Sequence, residues 1–462
     1  MADKQHTDPE RMEKIVSLCK RKGFIFQSAE LYGGLNGCWD YGPLGVEVKR
    51  NLKDYWWRKN VQERDDIVGL DGSILTHQEV LTASGHVGGF SDPMVDCRHC
   101  KGRFRADNLD GMQCLKKPSC TPGEGADCDL TEAKEFNLMF QTTMGASADE
   151  NDPNAIAYLR PETAQSIFTQ FKNVLDTSRM KLPFGIAQIG KAFRNEINPR
   201  NFTFRSREFE QMEVEYFCHP DDGMRLTDDW LEARLTFYEE IGLPREKLHV
   251  LDVPEKDRAH YSKKTYDIEF DFPFGCQELE GVAYRTNYDL SKHQEAGGKS
   301  LEYFNEQTKE KFVPHVVEPS AGCDRTVLAL ICEAYDEEEI TDAKGKTDTR
   351  TVMRFHPRVA PVKAAIFPLL KKNEDQVRVC REIQRELECY MTVFYDESGA
   401  VGRRYRRQDE NGTPFCITVD FDTIGENGEE LKDTVTFRHR DSMEQERLPI
   451  SELLPRLLKE IR

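Results

Sequence analysis

The stretch from Phe184 to Phe217 concentrates residues that could bind a phosphate group. Arg194 ends a predicted strand, and the charged loop that follows contributes Arg200, Arg205 and Arg207. Because a guanidinium group presents a fork of N–H donors, arginine can contact two phosphate oxygens at once. These residue types at this spacing predict a site for a phosphate-bearing ligand. The plainer alternative is a solvated hairpin with scattered charges.

Two predicted strands, Gly185 to Glu196 and Phe209 to Phe217, must position these arginines. Successive side chains of a strand point to opposite faces, so each strand has one face of polar or small residues. Because the strands are close in sequence, we expect them to pair antiparallel and to join these faces into one platform. Glycine weakens a strand, so Gly190 favours a ligand-binding platform over a solvated hairpin.

A further cation, Arg325, lies where local stability would not place one. The segment SAGCDRTVLALICEAY, from Ser320 to Tyr335, predicts a helix with Arg325 in its first turn. A cation at that position opposes the helix dipole. An anionic ligand would favour it, since the N-terminus of a helix attracts anions.

The composition is that of a globular protein with several domains. The chain has 462 residues, 38% hydrophobic and 32% charged, which predicts two or three domains. Its net charge, 64 − 82 = −18, argues against a general nucleic-acid coat protein but allows a local basic patch. No run reaches the roughly 18 apolar residues of a membrane span, and the N-terminus lacks the apolar core of a secretory signal. We therefore expect a cytoplasmic protein with reduced thiols and no membrane partner.

A cysteine-rich insertion, about residues 97–130, has partial zinc-site spacing. Cys97 and Cys100 form a C-x-x-C knuckle, and Cys114, Cys120 and Cys128 follow without a second knuckle. A four-thiolate site could use the knuckle and two of the later three cysteines, for example Cys114 and Cys120. A decayed site with free thiols is the alternative.

The C-terminal part has a different character from Ala360 onward. The acidic stretch from Asp336 to Thr351 predicts a linker, and alternating strands and helices then predict a second α/β unit. That unit contains the strongest basic cluster of an acidic chain, Arg403, Arg404, Arg406 and Arg407 around a tyrosine. Charge and stacking of this kind suit single-stranded RNA; a solvated helix face is the alternative.

Two further features each allow two interpretations. Val48, Leu52, Tyr55 and Trp56 form one face of a predicted helix, which could be a subunit interface or an ordinary core face. His86 could be catalytic, but a structural hydrogen-bonding role is the simpler interpretation.

Taken together, the motifs resemble those of the class II aminoacyl-tRNA synthetases, and among them the single-chain homodimeric glycyl-tRNA synthetases. The matching segments cover nearly the whole chain: YGPLG from Tyr41, LRPETAQ (Leu159 to Gln165), FRNE (Phe193 to Glu196), REFEQME (Arg207 to Glu213), EPSAGCDR (Glu318 to Arg325) and YRRQDENGTPFCIT (Tyr405 to Thr418). The resemblance implies an α+β protein: an antiparallel six- or seven-stranded catalytic sheet in residues 1–350, and an anticodon-binding α/β domain in residues 360–462. It also implies a homodimer built on the region from Tyr41 to Asn60.

The implied reaction joins glycine to tRNA(Gly) through a glycyl-adenylate, with ATP as substrate and Mg²⁺ on its phosphates. The resemblance gives catalytic roles to Arg194, Arg325 and Glu278, and tRNA contacts to Arg403, Arg404, Arg406 and Arg407. It assigns ATP to Arg194, Asn195, Glu196, Phe204, Arg205, Ser206, Arg207, Glu208, Phe209, Glu278, Leu279, Gly322, Cys323, Asp324 and Arg325. It assigns glycine to Arg105, Glu162, Phe209, Glu210, Gln211, Met212, Glu213, Glu318, Pro319, Ser320, Ala321 and Gly322.

Glycine recognition would depend on the ammonium group, because glycine has no side chain. Attraction alone separates glycine from alanine by only about 1–3 kcal/mol, so a full, rigid pocket must exclude the extra methyl. Alternatives are another class II synthetase, a biotin- or lipoate-ligase-like enzyme, or a catalytically inactive binding module. The presence of Arg194, Arg205 and Arg325 argues against the last of these.

Overall fold

The computed structural model of the protein describes residues 7–106, 109, 112–117, 119–124, 128–145, 155–341, 345 and 347–462. The first six residues of the predicted non-secretory N-terminus, and parts of the cysteine-rich insertion and of the predicted linker, lie outside the described residues. Along the part that is described, no helix combines the length and the apolar character needed to cross a membrane.

The strands of the larger, N-terminal unit are, in chain order, β1 (Ile25–Gln27), β2 (Trp39–Tyr41), β3 (Ile67–Gly69), β4 (Leu75–His77), β5 (Ser91–Asp96), β6 (Arg103–Arg105), β7 (Lys134–Asn137), β8 (Gln141–Thr143), β9 (Ile156–Leu159), β10 (Phe184–Phe193), β11 (Glu208–Cys218), β12 (Leu248–Asp252), β13 (Lys264–Phe272), β14 (Gly275–Thr286), β15 (Tyr303–Phe304), β16 (Lys311–Phe312) and β17 (His315–Gly322). Its helices are α1 (Pro9–Lys22), α2 (Pro43–Trp57), α3 (Gln78–Ala83), α4 (His86–Gly89), α5 (Ala164–Ser178), α6 (Gly223–Glu240), α7 (Tyr288–Gly297) and α8 (Cys323–Ala334).

A seven-stranded sheet in the order β12-β13-β14-β17-β11-β10-β3 forms the centre of this unit. All neighbours pair antiparallel except β3, which runs parallel to β10. The predicted central hairpin is confirmed: β10 and β11 pair antiparallel from Phe184 opposite Phe217 to Phe193 opposite Glu208. The predicted alternation also holds, since Met212 and Val214 lie in the core while Glu213 points to the other face.

Helix α2 is a core helix of this chain. Val48, Leu52 and Trp56 are at most 1% exposed and pack in the same core cluster as the sheet and α8. The glycines of the YGPLG motif allow this helix to approach the preceding backbone: a Cβ on Gly45 would come within 1.8 Å of the carbonyl oxygen of Phe24. The core interpretation of the helix face therefore holds for these side chains.

The elements of the C-terminal unit are β20 (Ala364–Pro368), α9 (Glu374–Leu387), β21 (Val393–Tyr395), α10 (Val401–Asn411), β22 (Phe415–Val419), β23 (Thr434–His439), β24 (Gln445–Pro449) and α11 (Ile450–Ile461). The strands form a mixed five-stranded sheet in the order β21-β20-β22-β23-β24. Strand β20 runs parallel to β21 and β22, and β22, β23 and β24 pair antiparallel, so the predicted α/β character is confirmed.

The prediction of a linker from Asp336 to Thr351 is wrong. Its described residues form an antiparallel pair, β18 (Tyr335–Thr341) with β19 (Thr347–Met353). Arg350 of β19 is fully buried and donates to Asp409 of α10, whose carboxylate also accepts two bonds from Arg438. Acidic composition misled the prediction, because these charges are paired rather than solvated.

Candidate active site

A cavity of about 390 Å³ lies on the polar face of β10, β11, β14 and β17. Most residues that the resemblance assigns to ATP or glycine line it: Glu162, Arg194, Glu196, Phe204, Arg205, Ser206, Phe209, Glu210, Gln211, Glu213, Glu278, Leu279, Glu318, Ser320, Gly322, Asp324 and Arg325. Eight others do not: Arg105, Asn195, Arg207, Glu208, Met212, Pro319, Ala321 and Cys323.

One half of the cavity is strongly cationic. Arg205 lies near Arg200, Arg105 and Arg325, and burial together with these like charges lowers its pKa, while Glu196 opposes the shift. Arg105 is held by Asp92, with 2.9 Å between Nη1 and Oδ2. Clustered, partly desolvated guanidinium groups repel one another, so an anion bound among them would be stabilised.

Arg325 lies in the first turn of α8, as predicted from the sequence, and points back into the cavity. Its Nη1 donates to Glu278 Oε2 at 3.1 Å, and its guanidinium stacks on Phe204 with 4.5 Å to the ring centroid. Asp324, one residue earlier, accepts bonds from Tyr41 Oη and from Lys49 Nζ, and the backbone N–H of Glu210 donates to its other oxygen. Asp324 therefore fixes the start of the helix and, with it, the position of Arg325.

Asp267 is a cavity residue that the sequence interpretation missed. Burial raises its pKa to about 7, and the carboxylates of Glu278 and Glu269 add to the shift. The available sequence signal was the alternation of Asp267, Glu269 and Asp271 on one face of β13. Neighbouring carboxylates beside a cationic cluster have the oxygen chemistry that Mg²⁺ prefers.

Arg194 reaches the cavity between two aromatic rings. Its guanidinium carbon is 5.3 Å from the ring centroid of Phe90 and 5.5 Å from that of Phe209. Its Nε donates to the carbonyl oxygen of Pro161 at 3.0 Å. These contacts hold the Arg194 guanidinium in the wall of the cavity.

The other half of the cavity collects buried carboxylates. Glu162 precedes α5 rather than lying in its first turn, so helix-dipole stabilisation does not explain it. Although burial opposes the effect, His86 and Arg285 hold the pKa of Glu162 well below its usual range. His86 Nδ1 shares a 2.8 Å hydrogen bond with Ser84, and its Nε2 lies 3.4 Å from Glu162 Oε2, so this histidine bridges the loop and a pocket carboxylate.

Glu213 and Glu318 lie beside Glu162. Ser320 donates to Glu213 at 2.7 Å, and Thr163 donates to its other oxygen. Arg285 donates to Glu318 at 2.8 Å, and burial raises the pKa of Glu318 to about 8 even though Arg285 opposes the shift.

Arg285, which sequence reasoning missed, also binds Asp289 through two bonds of 2.8 and 2.9 Å. It is therefore shared between two carboxylates, and the pocket has more carboxyl groups than nearby cations. A small ammonium ion would supply the missing positive charge.

Glu215 lies two residues after Glu213 on β11 and therefore on the same face of the strand. It is fully buried, and neither carboxylate oxygen has a hydrogen-bond partner among the described residues. Burial, reinforced by the carboxylate of Glu318, raises its pKa well above the ordinary value. A carboxyl group in this environment is expected to be neutral.

Several residues assigned to the site have side chains that point away from the cavity. Met212 and Ala321 are buried in the core beneath the sheet, and Cys323 is buried in the same cluster. Met212 and Ala321 share strands with cavity residues, and strand alternation turns their side chains into the core. Pro319, between Glu318 and Ser320, alternates away in the same manner.

Three charged or polar assignments are also engaged outside the cavity. Arg207 donates to backbone oxygens of Asn36 and Glu196, and Glu208 pairs with Lys191. The backbone N–H of Asn195 donates to Leu138 O at 2.6 Å.

The absence of a side chain at Gly190 is explained by a neighbouring arginine of the same chain. A Cβ there would lie 2.1 Å from Arg160 Nη2, so glycine makes room for this buried guanidinium. Arg160 in turn donates to the backbone oxygens of Lys191 and Gly72 at 2.6 and 2.8 Å. Packing of Arg160 therefore accounts for this glycine, so Gly190 alone does not support a ligand-binding platform.

The basic cluster of α10 divides into two kinds of residue. Arg404 is 2% exposed and donates to the carbonyl oxygens of Pro368, Glu397 and Gly399, so its assignment to a tRNA surface is wrong. Arg403 is exposed, Arg406 is half-buried, and Arg407 donates to Asp396 and to Ser398 O.

The cysteine insertion brings Cys128, rather than Cys120, to the knuckle. Cys97 Sγ and Cys128 Sγ are 3.7 Å apart. Three sulfurs also accept a backbone N–H: Cys97 from Cys100, Cys100 from Gly102, and Cys128 from Gly123. Cys114 packs near Cys100. Cys120 instead contacts the neighbouring Ser119 hydroxyl.

Comparison with known proteins agrees with this geometry. The family described as "tRNA synthetase class II core domain (G, H, P, S and T)" matches residues 143–335, and "Anticodon binding domain" matches residues 363–460. The chain is 51% identical to a glycine–tRNA ligase of Treponema denticola, over 98% of this chain and 97% of the relative. It is 50% identical to that of Clostridium perfringens (96% and 97% covered) and 48% identical to that of Thermobifida fusca (96% of each).

Proposed function

The chain belongs to the glycine–tRNA ligases, class II enzymes that attach glycine to tRNA, and on that basis we propose which of its residues carry out the reaction. The reaction uses ATP and proceeds through glycyl-adenylate. One observation supports the assignment of residues most strongly: the cationic cluster, the carboxylate pocket and Arg194 all line one cavity.

The first step forms a mixed anhydride. A carboxylate oxygen of glycine attacks the α-phosphorus of ATP, the bond to the β-phosphate bridging oxygen breaks, and pyrophosphate leaves. Neither partner needs a protein nucleophile, so positioning and charge neutralisation supply the catalysis. We assign the α-phosphate and the glycine carboxylate to Arg194, and the outer phosphates to Arg205 and Arg325. Phe209 stacks on the adenine.

The enzyme family uses Mg²⁺, and the donor chemistry of this cavity fits the ion. Glu278 and Asp267 would hold it beside the phosphates, where it would neutralise charge on the leaving pyrophosphate. In the free chain Glu278 pairs with Arg325. Bound phosphates would give Arg325 another anionic partner and release Glu278 for the metal.

Glu162, Glu213 and Ser320 bind the ammonium group, with Glu318 beside them. In the second step the terminal ribose hydroxyl of tRNA attacks the glycyl carbonyl carbon and AMP leaves.

The experiment that tests these assignments is ATP–pyrophosphate exchange with each amino acid in the absence of tRNA. We expect exchange with glycine but not with alanine, and loss of exchange in Arg194→Ala. Exchange with alanine at a similar rate would refute the ammonium-reading pocket, and unchanged exchange in Arg194→Ala would refute the role of that arginine.

We also propose the division of labour along the chain. Residues 1–350 form the catalytic unit, with the cysteine insertion at about 97–130, and residues 360–462 bind the anticodon of tRNA(Gly); the anticodon-domain match at 363–460 supports the second assignment. On α10 the contacts would come from Arg403, Arg406 and Arg407. Because tRNA charging requires ATP and tRNA together, we place the protein in the cytoplasm.

The insertion is proposed to bind Zn²⁺ through Cys97, Cys100, Cys114 and Cys128. The 3.7 Å separation of Cys97 and Cys128 sulfurs and the N–H donors to three sulfurs fit a tetrahedral thiolate site. Metal analysis tests the ligand set: Cys128→Ser should lose one zinc equivalent and Cys120→Ser should retain it. The reverse result would restore Cys120 as the ligand.

We propose a homodimer as well. Leu31 and Tyr32 are 89% and 88% exposed, in the loop between β1 and β2 that leads to Tyr41 and α2. Exposed apolar side chains next to the expected Tyr41–Asn60 region would be covered by a second copy. Leu31→Glu with Tyr32→Glu should lower the mass measured by light scattering to that of a monomer; an unchanged dimer mass would exclude this loop from the interface.

A further inference from the structure

The outer edge of the central sheet carries a second cluster of metal-binding side chains, away from the cysteine insertion. His249 lies on the edge strand β12, Asp271 on β13 and Cys276 on β14. One possible ligand atom of each lies within 4.8 Å of the other two. We propose that these three residues form a site for a borderline-soft divalent cation of the Zn²⁺ class.

The register of the strands brings these residues to one face. His249 is directly opposite Glu269, and Asp271 is directly opposite Cys276. Asp271 is two residues from Glu269, so both point to the same side of β13. The opposite side carries Ile268, Phe270 and Phe272, which are buried in the core. The four polar side chains therefore form a patch on the solvent face, backed by packed strands.

The distances are close to those that a bound ion requires. His249 Nε2 and Asp271 Oδ2 are 2.9 Å apart, and Cys276 Sγ is 3.8 Å from Glu269 Oε2. Zinc–nitrogen and zinc–oxygen bonds are about 2.0–2.2 Å and zinc–sulfur bonds about 2.3 Å, so neighbouring ligands of a tetrahedral ion lie roughly 3–4 Å apart. Glu269 is placed to supply the fourth ligand with a small side-chain movement.

The ligand types select the cation. Thiolate, imidazole and carboxylate together suit Zn²⁺ or Co²⁺, whereas Mg²⁺ takes oxygen ligands. Binding would exchange the Cys276 thiol proton for the metal. An ion pair between His249 and Asp271 accounts for their contact but not for the position of Cys276 beside two carboxylates.

The site would join three strands at the end of the sheet. Strand β12 has a neighbour on one side only, and such edge strands are the least constrained part of a sheet. Cys276 is two residues before Glu278 on β14, on the same face as the Mg²⁺ ligand proposed above. A bound ion would therefore stabilise the edge and the strand that presents Glu278.

Cobalt titration of the full-length protein tests the site, because a cobalt–thiolate bond gives a charge-transfer absorption in the near ultraviolet. Relative to the unsubstituted protein, Cys276→Ser should bind one thiolate-bound Co²⁺ equivalent fewer. His249→Gln should keep that equivalent but bind it with at least about tenfold lower affinity. The matched control Cys389→Ser removes an exposed thiol on the C-terminal unit and should change nothing. Equal binding by Cys276→Ser and the unsubstituted protein would overturn the proposal.

A second experiment separates this site from the cysteine insertion. The variant Cys97→Ser with Cys100→Ser should keep one thiolate-bound Co²⁺ equivalent, and adding Cys276→Ser should abolish it. Loss of all cobalt–thiolate absorption in the first variant, with an unchanged circular dichroism spectrum, would also overturn the proposal. In the unsubstituted protein Zn²⁺ should raise the melting temperature more than in Cys276→Ser; an equal rise would count against a stabilising role.

Discussion

At the scale of single residues, two glutamates on the same face of β11 have opposite environments. Glu213 accepts hydrogen bonds from Ser320 and Thr163 beside the pocket. Glu215 lies two residues further along with no partner for either oxygen among the described residues. Burial raises the pKa of both groups, and that of Glu215 well above its ordinary value. Only Glu213 lines the cavity, so it is the glutamate positioned to bind an ammonium group.

The two environments predict different responses to the same substitution. Glu213→Gln should raise the KM for glycine in ATP–pyrophosphate exchange by roughly 10–100-fold, because a charge-assisted hydrogen bond of about 1.5–3 kcal/mol is lost. Glu215→Gln replaces a neutral group with another of the same shape and should leave that KM within about twofold. An equal rise in both variants would mean that Glu215 is ionised and contacts glycine.

The stability of Glu215→Gln should also depend on pH in a defined direction. The pKa of Glu215 in the folded protein lies well above its ordinary value of 4.5, so as the pH rises past 4.5 the unfolded chain releases a proton that the folded protein still holds. Raising the pH above 4.5 therefore destabilises the unsubstituted protein relative to the glutamine variant. Urea unfolding at several pH values measures this difference, which should grow in favour of the variant as pH rises. A difference that shrinks with pH would contradict the neutral carboxyl group.

At the scale of elements, the strands and helices position the site through close internal contacts. Gly190 on β10 leaves space for Arg160, and Asp324 in the first turn of α8 is bound by Tyr41, Lys49 and the Glu210 N–H. These contacts fix the strand and helix that carry Arg194 and Arg325. Activity should therefore be sensitive to packing changes that never touch a substrate.

Gly190→Ala tests this dependence. The added methyl would collide with the buried Arg160 guanidinium, whose hydrogen bonds hold Gly72 and Lys191, and overpacking of this kind costs about 1–3 kcal/mol. We expect a lower urea midpoint together with weaker pyrophosphate exchange. Gly297→Ala, at a helical position with open space around it, is the control and should be neutral or slightly stabilising. An unchanged midpoint for Gly190→Ala would show that Arg160 can move at little cost.

Helix α10 gives a second test at this scale, since its arginines differ in burial. Arg403→Ala with Arg406→Ala should raise the KM for tRNA and reduce the salt dependence of tRNA binding by about two phosphate contacts, with folding unchanged. Arg404→Ala should instead lower the unfolding midpoint, because three carbonyl oxygens lose their donor. If Arg404→Ala weakened tRNA binding alone, the buried assignment would be wrong.

At the scale of the whole molecule, a buried charge network joins the two units. Asp409 of α10 is fully buried and binds Arg350 from the β18–β19 hairpin and Arg438 from β23. Asp409→Ala would leave two buried guanidinium groups without this partner, and the expected cost is about 3–5 kcal/mol. Aminoacylation should fall more than pyrophosphate exchange, because the anticodon-binding unit is affected and the cavity is not. The exposed Glu382 on α9, whose partner Arg378 is also exposed, provides the control, and Glu382→Ala should cost less than about 1 kcal/mol. Equal losses in both reactions would show that the network supports the catalytic unit as well.

The sequence by itself determined the central hairpin, the cationic first turn of α8 and the family. Strand alternation, helix periodicity and contiguous motifs are local properties, so the polar face of Glu213 and the position of Arg325 could be predicted from the order of residues. The same reasoning correctly assigned Met212 and Val214 of β11 to the core face and Glu213 to the cavity face. The motifs also include Met212 and Ala321, whose side chains lie in the core, because neighbours on a strand alternate between faces.

Only the tertiary structure decided which distant charges meet. Arg285 joins Asp289 to Glu318, the carboxylate of Asp267 lies near that of Glu278, and Arg160 occupies the space next to Gly190. Each of these arrangements depends on strand order and crossings, which cannot be read from the order of residues. The same holds for Cys128 beside Cys97 and for Arg404, whose burial reversed its apparent role. Charge–charge interactions act through space and burial, and both are set by how the elements pack.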